Sequence, residues 1–156
     1  LGEFDVRVRG CEKKITAADK KIGFGSIVSQ GMPFYGGNVI YKTKVYLPEG
    51  CLTVRVNEYR GAAVRVRFDG VDKGIIAFDP FELEIGKVTE GEHDVEFKLF
   101  GNRANTFGAL HICGDKLEKG SGWFGPTMWY TSGDQWTYDY HFYETGIMSS
   151  PIFEIR

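Results

Sequence analysis

Period-two alternation between Asn38 and Phe100 is the feature that most limits what this chain can become. Asn38 to Leu47 puts Val39, Tyr41, Thr43, Val45 and Leu47 on one face. Leu52 to Asn57 does the same with Leu52, Val54 and Val56, and His93 to Phe100 with Phe97 and Leu99. Successive side chains of a strand point to opposite faces, so this pattern predicts half-buried β-strands. Ala62 to Phe68 and Val71 to Phe78 read as two more, joined by Asp69-Gly70, the strongest hairpin signal in the chain. Pro48-Glu49-Gly50 and Glu90-Gly91-Glu92 are further turns, and Pro80-Phe81 breaks the pattern before Leu83 and Ile85 resume it. Turn signals that recur roughly every ten residues are those of an all-β sandwich. The 21 glycines and the 15% of aromatic residues agree, since such a fold needs many turns and large flat side chains to fill it.

The flanks read less sharply. Gly2 to Arg9 alternates, with Phe4, Val6 and Val8 opposite Asp5, Arg7 and Arg9. Gly10 to Lys21 is polar, a linker or an exposed strand with room for one helical turn over Thr16 to Lys21. Gly23 to Gly37 is a loop region forced by Pro33 and Gly36-Gly37. Gly114 to Gly125 is a glycine-rich, charged loop. Tyr138, Tyr140 and Phe142 alternate with Asp139 and His141 and predict a strand, as does Ile152 to Ile155. Between Leu99 and His111 the alternation is interrupted by Gly101, Asn102, Arg103, Asn105 and Gly108. That composition predicts a bulge or corner, with Phe107 and Leu110 turned inward.

A chain of 156 residues fits one domain, with 1–22 as edge strand and linker and 23–156 as the core sandwich. The start at Leu1 without a Met is expected of a piece cut from a longer protein. A net charge of −2 with evenly spread charges argues against a nucleic-acid partner. No apolar run reaches the roughly 18 residues of a membrane span, and no signal peptide is visible. Cys11, Cys51 and Cys113 lack metal-type spacing. Cys51 and Cys113 sit in apolar contexts expected of buried structural thiols. An odd count favours a reducing, cytoplasmic setting.

Several runs taken together resemble a known family. They are Gln30-Gly31-Met32-Pro33-Phe34-Tyr35-Gly36-Gly37-Asn38, Val66-Arg67-Phe68-Asp69-Gly70, Leu99-Phe100-Gly101-Asn102-Arg103, Trp123-x-Gly125-Pro126-x-x-Trp129, Trp136-x-Tyr138-x-Tyr140 and Gly146-Ile147. They resemble the C-terminal β-sandwich domain of large bacterial glycoside hydrolases. That domain is similar in turn to the galactose-binding-like sugar-binding domain of family 2 glycosidases, whose pattern appears as Tyr41, Pro48, Gly70, Gly74, Ala77, Pro80-Phe81, Ile85 and Gly91. The resemblance covers about Gly23 to Pro151. It implies an all-β, galactose-binding-domain-like jelly-roll sandwich of two antiparallel sheets. It implies an accessory role, with the catalytic residues in a separate barrel domain of the same chain. No cofactor is implied, although jelly rolls of this kind can hold a structural calcium, which the sequence does not locate.

The candidate contacts for an oligosaccharide are Trp123, Trp129, Tyr130, Trp136 and Tyr138, with Asn102, Arg103, Asn105 and His111 as polar partners. A pyranose has a face of C–H groups that can lie on an aromatic ring, while its hydroxyls need fixed polar groups. The same aromatics suit a core role or an interface with a catalytic domain. Arg103, between two Asn, equally suits holding carbonyl groups in place. A glycosidase needs two carboxylates about 5–10 Å apart. Asp134, Asp139 and Glu144 are close in sequence, but Asp139 falls on the polar face of its segment. Catalysis by this chain is therefore not expected. Asp69 to Gly74 has some likeness to a calcium loop but lacks the later acidic ligands, and a hairpin accounts for it.

Overall fold

The computed structural model describes residues 4–18, 21–113 and 131–156. They contain eleven strands and one helical turn: β1 (Phe4–Arg9), β2 (Glu12–Ala17), β3 (Val39–Leu47), β4 (Gly50–Arg55), β5 (Tyr59–Arg60), β6 (Ala63–Phe68), β7 (Val71–Ile76), β8 (Glu82–Val88), β9 (Gly91–Phe100), α1 (Ala104–Phe107), β10 (Gly146–Ile147) and β11 (Ile152–Ile155). The chain divides into two compact units that interleave in sequence. One comprises Leu1–Lys20, Val28–Gly36 and Arg103–Tyr143; the other comprises Lys21–Ile27, Gly37–Asn102 and Glu144–Arg156.

The second unit is the β-sandwich. One sheet has the order β3-β9-β6-β7 and the other β11-β4-β8, all neighbours antiparallel. The alternation decides the faces. Val39, Tyr41 and Leu47 of β3, Val64, Val66 and Phe68 of β6, and Val95, Phe97 and Leu99 of β9 are buried. Leu52 and Val54 of β4 and Ile85 and Val88 of β8 are buried from the other sheet. Phe97 meets Phe153 of β11 edge-on at 6.3 Å between centroids, which joins the two inner faces. The outward residues pair across strands, as in Lys44–Glu92 at 2.7 Å and Arg55–Glu82 at 2.9 Å. Opposite charges on neighbouring strands are the ordinary furnishing of a solvated face.

The turns follow from backbone chemistry. Asp69 (φ 48°) and Gly70 (φ 77°) both take positive φ, the requirement of a two-residue primed turn. Asp69 also accepts from the Asp94 backbone N–H at 2.9 Å, and its other oxygen meets Nδ1 of His93 at 2.7 Å. His93 is buried, and its Nε2 faces the Thr89 carbonyl at 2.9 Å. Both ring nitrogens thus face acceptors, an arrangement that suits the doubly protonated imidazolium. The Asp69 carboxylate accordingly draws the His93 pKa up, and His93 draws that of Asp69 down.

The first unit contains the β1–β2 ribbon, paired from Phe4↔Ala17 to Arg9↔Glu12. The helical turn expected over Thr16 to Lys21 does not begin there, because Thr16 and Ala17 belong to β2. Two other expectations are corrected. The alternation stops at Phe100, and the segment after it makes a short helical turn, not a bulged continuation; Phe107 is 66% exposed, while Leu110 is buried. Tyr138 to Phe142 is not a strand. Its backbone bonds go to different segments, Tyr140 N–H to Gly10 and His141 N–H to Leu110, so no continuous ladder can form. The cysteines are all free, and Cys51 is exposed, on an outward position of β4, where a buried thiol was expected.

Candidate functional site

Of the polar and aromatic residues singled out in the sequence, the structure brings His111, Trp136 and Tyr138 together. Trp123, Trp129 and Tyr130 lie outside the described residues. Asn102 closes the sandwich unit after β9 and is exposed. Arg103, Asn105, His111, Trp136 and Tyr138 belong to the other unit.

There, His111 and Trp136 are brought together by the backbone. Ile112 and Trp136 form an antiparallel bridge, flanked by Cys113 N–H to Gln135 at 3.0 Å and Thr137 N–H to His111 at 2.9 Å. The imidazole lies 5.9 Å from the Trp136 ring and 4.4 Å from Tyr140. Trp136 meets Tyr138 edge-on at 4.5 Å, and Tyr140 stacks on Phe142 at 5.6 Å with 6° between planes. Phe34 sits edge-on to both Tyr140 and Phe142. A continuous row of rings therefore runs from Tyr138 through Trp136, His111 and Tyr140 to Phe142 and Phe34. Tyr138 ends it 73% exposed, whereas Trp136 is half-buried.

The polar groups along the row are tied down. His111 Nδ1 faces the carbonyls of Thr137 and Asp139 at 3.1 and 3.2 Å. Two acceptors demand a donor, so Nδ1 carries the proton. Lys13 donates to the Tyr140 hydroxyl at 3.0 Å, with its ammonium 4.9 Å from the ring centroid. Asn105, only 2% exposed, donates from Nδ2 to the Tyr143 carbonyl at 2.7 Å and accepts from the Tyr143 N–H at 2.8 Å. This side chain closes both backbone groups of one residue, as a partner strand would. The Arg103 carbonyl accepts from the Thr106 and Phe107 N–H groups, and its side chain is exposed. Sequence reasoning missed Phe34, Tyr140 and Lys13 as members of the row, although the 136/138/140/142 alternation was a signal for Tyr140.

Asp134, Asp139 and Glu144 are exposed. Among the described residues, no group of three His, Cys, Asp or Glu side chains is placed to hold a metal ion. No helix among them is long and apolar enough to cross a membrane.

The chain is all-β, built of antiparallel sheets, two of which form the sandwich. Among solved structures, it is similar to a rhamnosidase from Novosphingobium sp. PP1Y, with a TM-score of 0.55 and 16% identity over 96% of this chain. That match spans only 14% of the rhamnosidase chain, so the likeness is to one part of a much longer protein. A GH2 beta-galacturonidase from Eisenbergiella tayi, bound to galacturonate, gives a TM-score of 0.43 and 19% identity, covering 72% of this chain and 20% of that one. No family model matches the chain, and no curated protein matches it.

Proposed function

We propose that this chain is a non-catalytic accessory β-sandwich of a larger glycoside hydrolase, galactose-binding-like in kind. It packs on the catalytic domain of the same polypeptide and helps present glycan to it. The observation that carries this reading is the likeness of nearly the whole chain to a seventh of a rhamnosidase. The test is the reading frame upstream of Leu1. An eight-fold strand–helix alternation carrying two carboxylates supports the role, and a frame ending just upstream overturns it. Removal of residues 1–156 from the parent enzyme should then lower its melting temperature more than its intrinsic turnover of an aryl glycoside.

A second reading is favoured by the exposed Tyr138 beside Trp136: a carbohydrate-binding module with an aromatic platform. Titration with oligosaccharides should show at least millimolar binding, lost in Tyr138→Ala and in Trp136→Ala. Silence across the panel counts against it.

A further inference from the structure

The sandwich unit has a cavity of about 360 Å³ where the loop before β6 meets the turn between β7 and β8. It is lined by Asn57, Glu58, Tyr59, Arg60, Ala77 and Phe81, among others. We propose that this cavity binds one unit of a neutral sugar; the choice of a sugar as occupant rests on the glycan-handling reading above.

The walls are built and held in advance. Tyr59 and Phe81 meet edge-on at 5.9 Å and supply the apolar side. The Val56 N–H donates to the Phe81 carbonyl at 2.9 Å, the Met148 N–H to Glu58 at 3.0 Å, and the Ala62 N–H to Phe100 at 2.8 Å. Between those ties, β5 pairs with β10 through Tyr59↔Ile147 and Arg60↔Gly146. A seven-residue connection with this many anchors costs little further ordering when a ligand enters. The turn opposite it is strained. Phe81 takes φ 57°, an outlier for a bulky residue, and its N–H donates to Phe78 at 2.8 Å. Strain of this kind persists where the surroundings over-determine it, and it concentrates at binding sites. The same turn leaves Phe78 85% exposed.

The chemistry of the rim selects the ligand. Arg60 and Glu58 are joined at 2.9 Å, so the rim offers donors and acceptors with no net charge. Such a pair can donate to one hydroxyl and accept from its neighbour, and it repays neither a carboxylate nor a cation for desolvation. Asn57 adds an amide that both donates and accepts. Polar groups converging over aromatic walls, in a volume at the small end of ligand sites, fit a monosaccharide unit rather than a large ligand. The outer face of the four-stranded sheet also bears a depression, lined by Lys42, Lys44 and Asp94, but its charges are already paired across strands.

The test uses native affinity gels cast with galactan, galactomannan, arabinoxylan or polygalacturonate, followed by titration with oligosaccharides of whichever neutral polymer retards the chain. Asn57→Ala and Arg60→Ala should each weaken that binding about tenfold or more and leave the melting temperature within a few degrees of wild type. Tyr138→Ala should leave it unchanged. Retardation by polygalacturonate alone overturns the neutral class. Wild-type binding that survives both pocket variants sinks this site and leaves the glycan reading standing. No retardation by any polymer removes glycan contact and this site together, but not the accessory role.

Discussion

Replacing Asn105 by alanine separates a structural side chain from a ligand contact. Asn105 is almost fully buried, and its amide closes the N–H and C=O of Tyr143 at 2.8 and 2.7 Å. Alanine removes both bonds to the Tyr143 backbone. A backbone group that loses its bond and stays dry costs about 1–3 kcal/mol. Tyr143 is half-buried, so water recovers part of that, and the sum is about 2–4 kcal/mol. For a chain of this length a loss of that size lowers the melting temperature by roughly 4–16 °C. Trp136 lies in the unit that contains Asn105, packed against His111 and Tyr138, so its emission follows that unit. Urea unfolding followed by tryptophan emission gives the free energy directly. Asn105→Asp is the sharper companion. It keeps an acceptor for the Tyr143 N–H but sets a carboxylate oxygen against the Tyr143 carbonyl, and should destabilise by a similar amount. A loss below about 0.5 kcal/mol in both variants, together with weaker sugar binding, would refute the structural reading and return Asn105 to the list of ligand contacts.

Other perturbations test other parts of the molecule. The pKa of His93 is raised, chiefly by its hydrogen bond with Asp69, so its contribution to stability is full below the unfolded value near 6.5 and is lost as pH rises through the folded value. Asp69 behaves oppositely: its lowered pKa gives stability above the unfolded value of 3.8 that is lost as pH falls through the folded one. The unfolding free energy from urea titrations between pH 5 and 9 should therefore fall with pH more steeply in wild type than in Asp69→Asn, by about 1 kcal/mol because Asp69 is half exposed; equal slopes contradict the pairing. Gly146 sits at φ 144° with a neighbouring Gly25 carbonyl where a side chain would go, so Gly146→Ala should cost at least about 1–3 kcal/mol in urea unfolding followed by far-UV circular dichroism. Phe97→Ala, at the junction of the two sheets, should cost about 3–5 kcal/mol; a smaller loss would mean that the inner faces are not packed through that ring.

The strands between Val39 and Phe100 were legible because one face of each is buried. Burial on one face stamps a period of two on the residues, and the Asp69-Gly70 turn needs φ values that few other pairs accept. The segment from Tyr138 to Phe142 was misread for the opposite reason. Tyr138, Tyr140 and Phe142 alternate as a strand would, yet their neighbours are ring edges and single backbone bonds to Gly10 and Leu110, which a periodicity argument cannot distinguish from a ladder. Asn105 read as a polar partner for a sugar, and only the arrival of Tyr143, 38 residues later, gives its amide two backbone groups to bond. The cavity by Tyr59 and Phe81 was invisible in the same way, since it joins a two-residue strand to a strained turn about twenty positions further on. By itself the sequence determined that this chain would be built of antiparallel strands, because side-chain alternation and turn chemistry are local properties. Which aromatic rings are walls, which form a row and which polar groups remain available was decided by the tertiary structure, because each depends on segments distant in the chain.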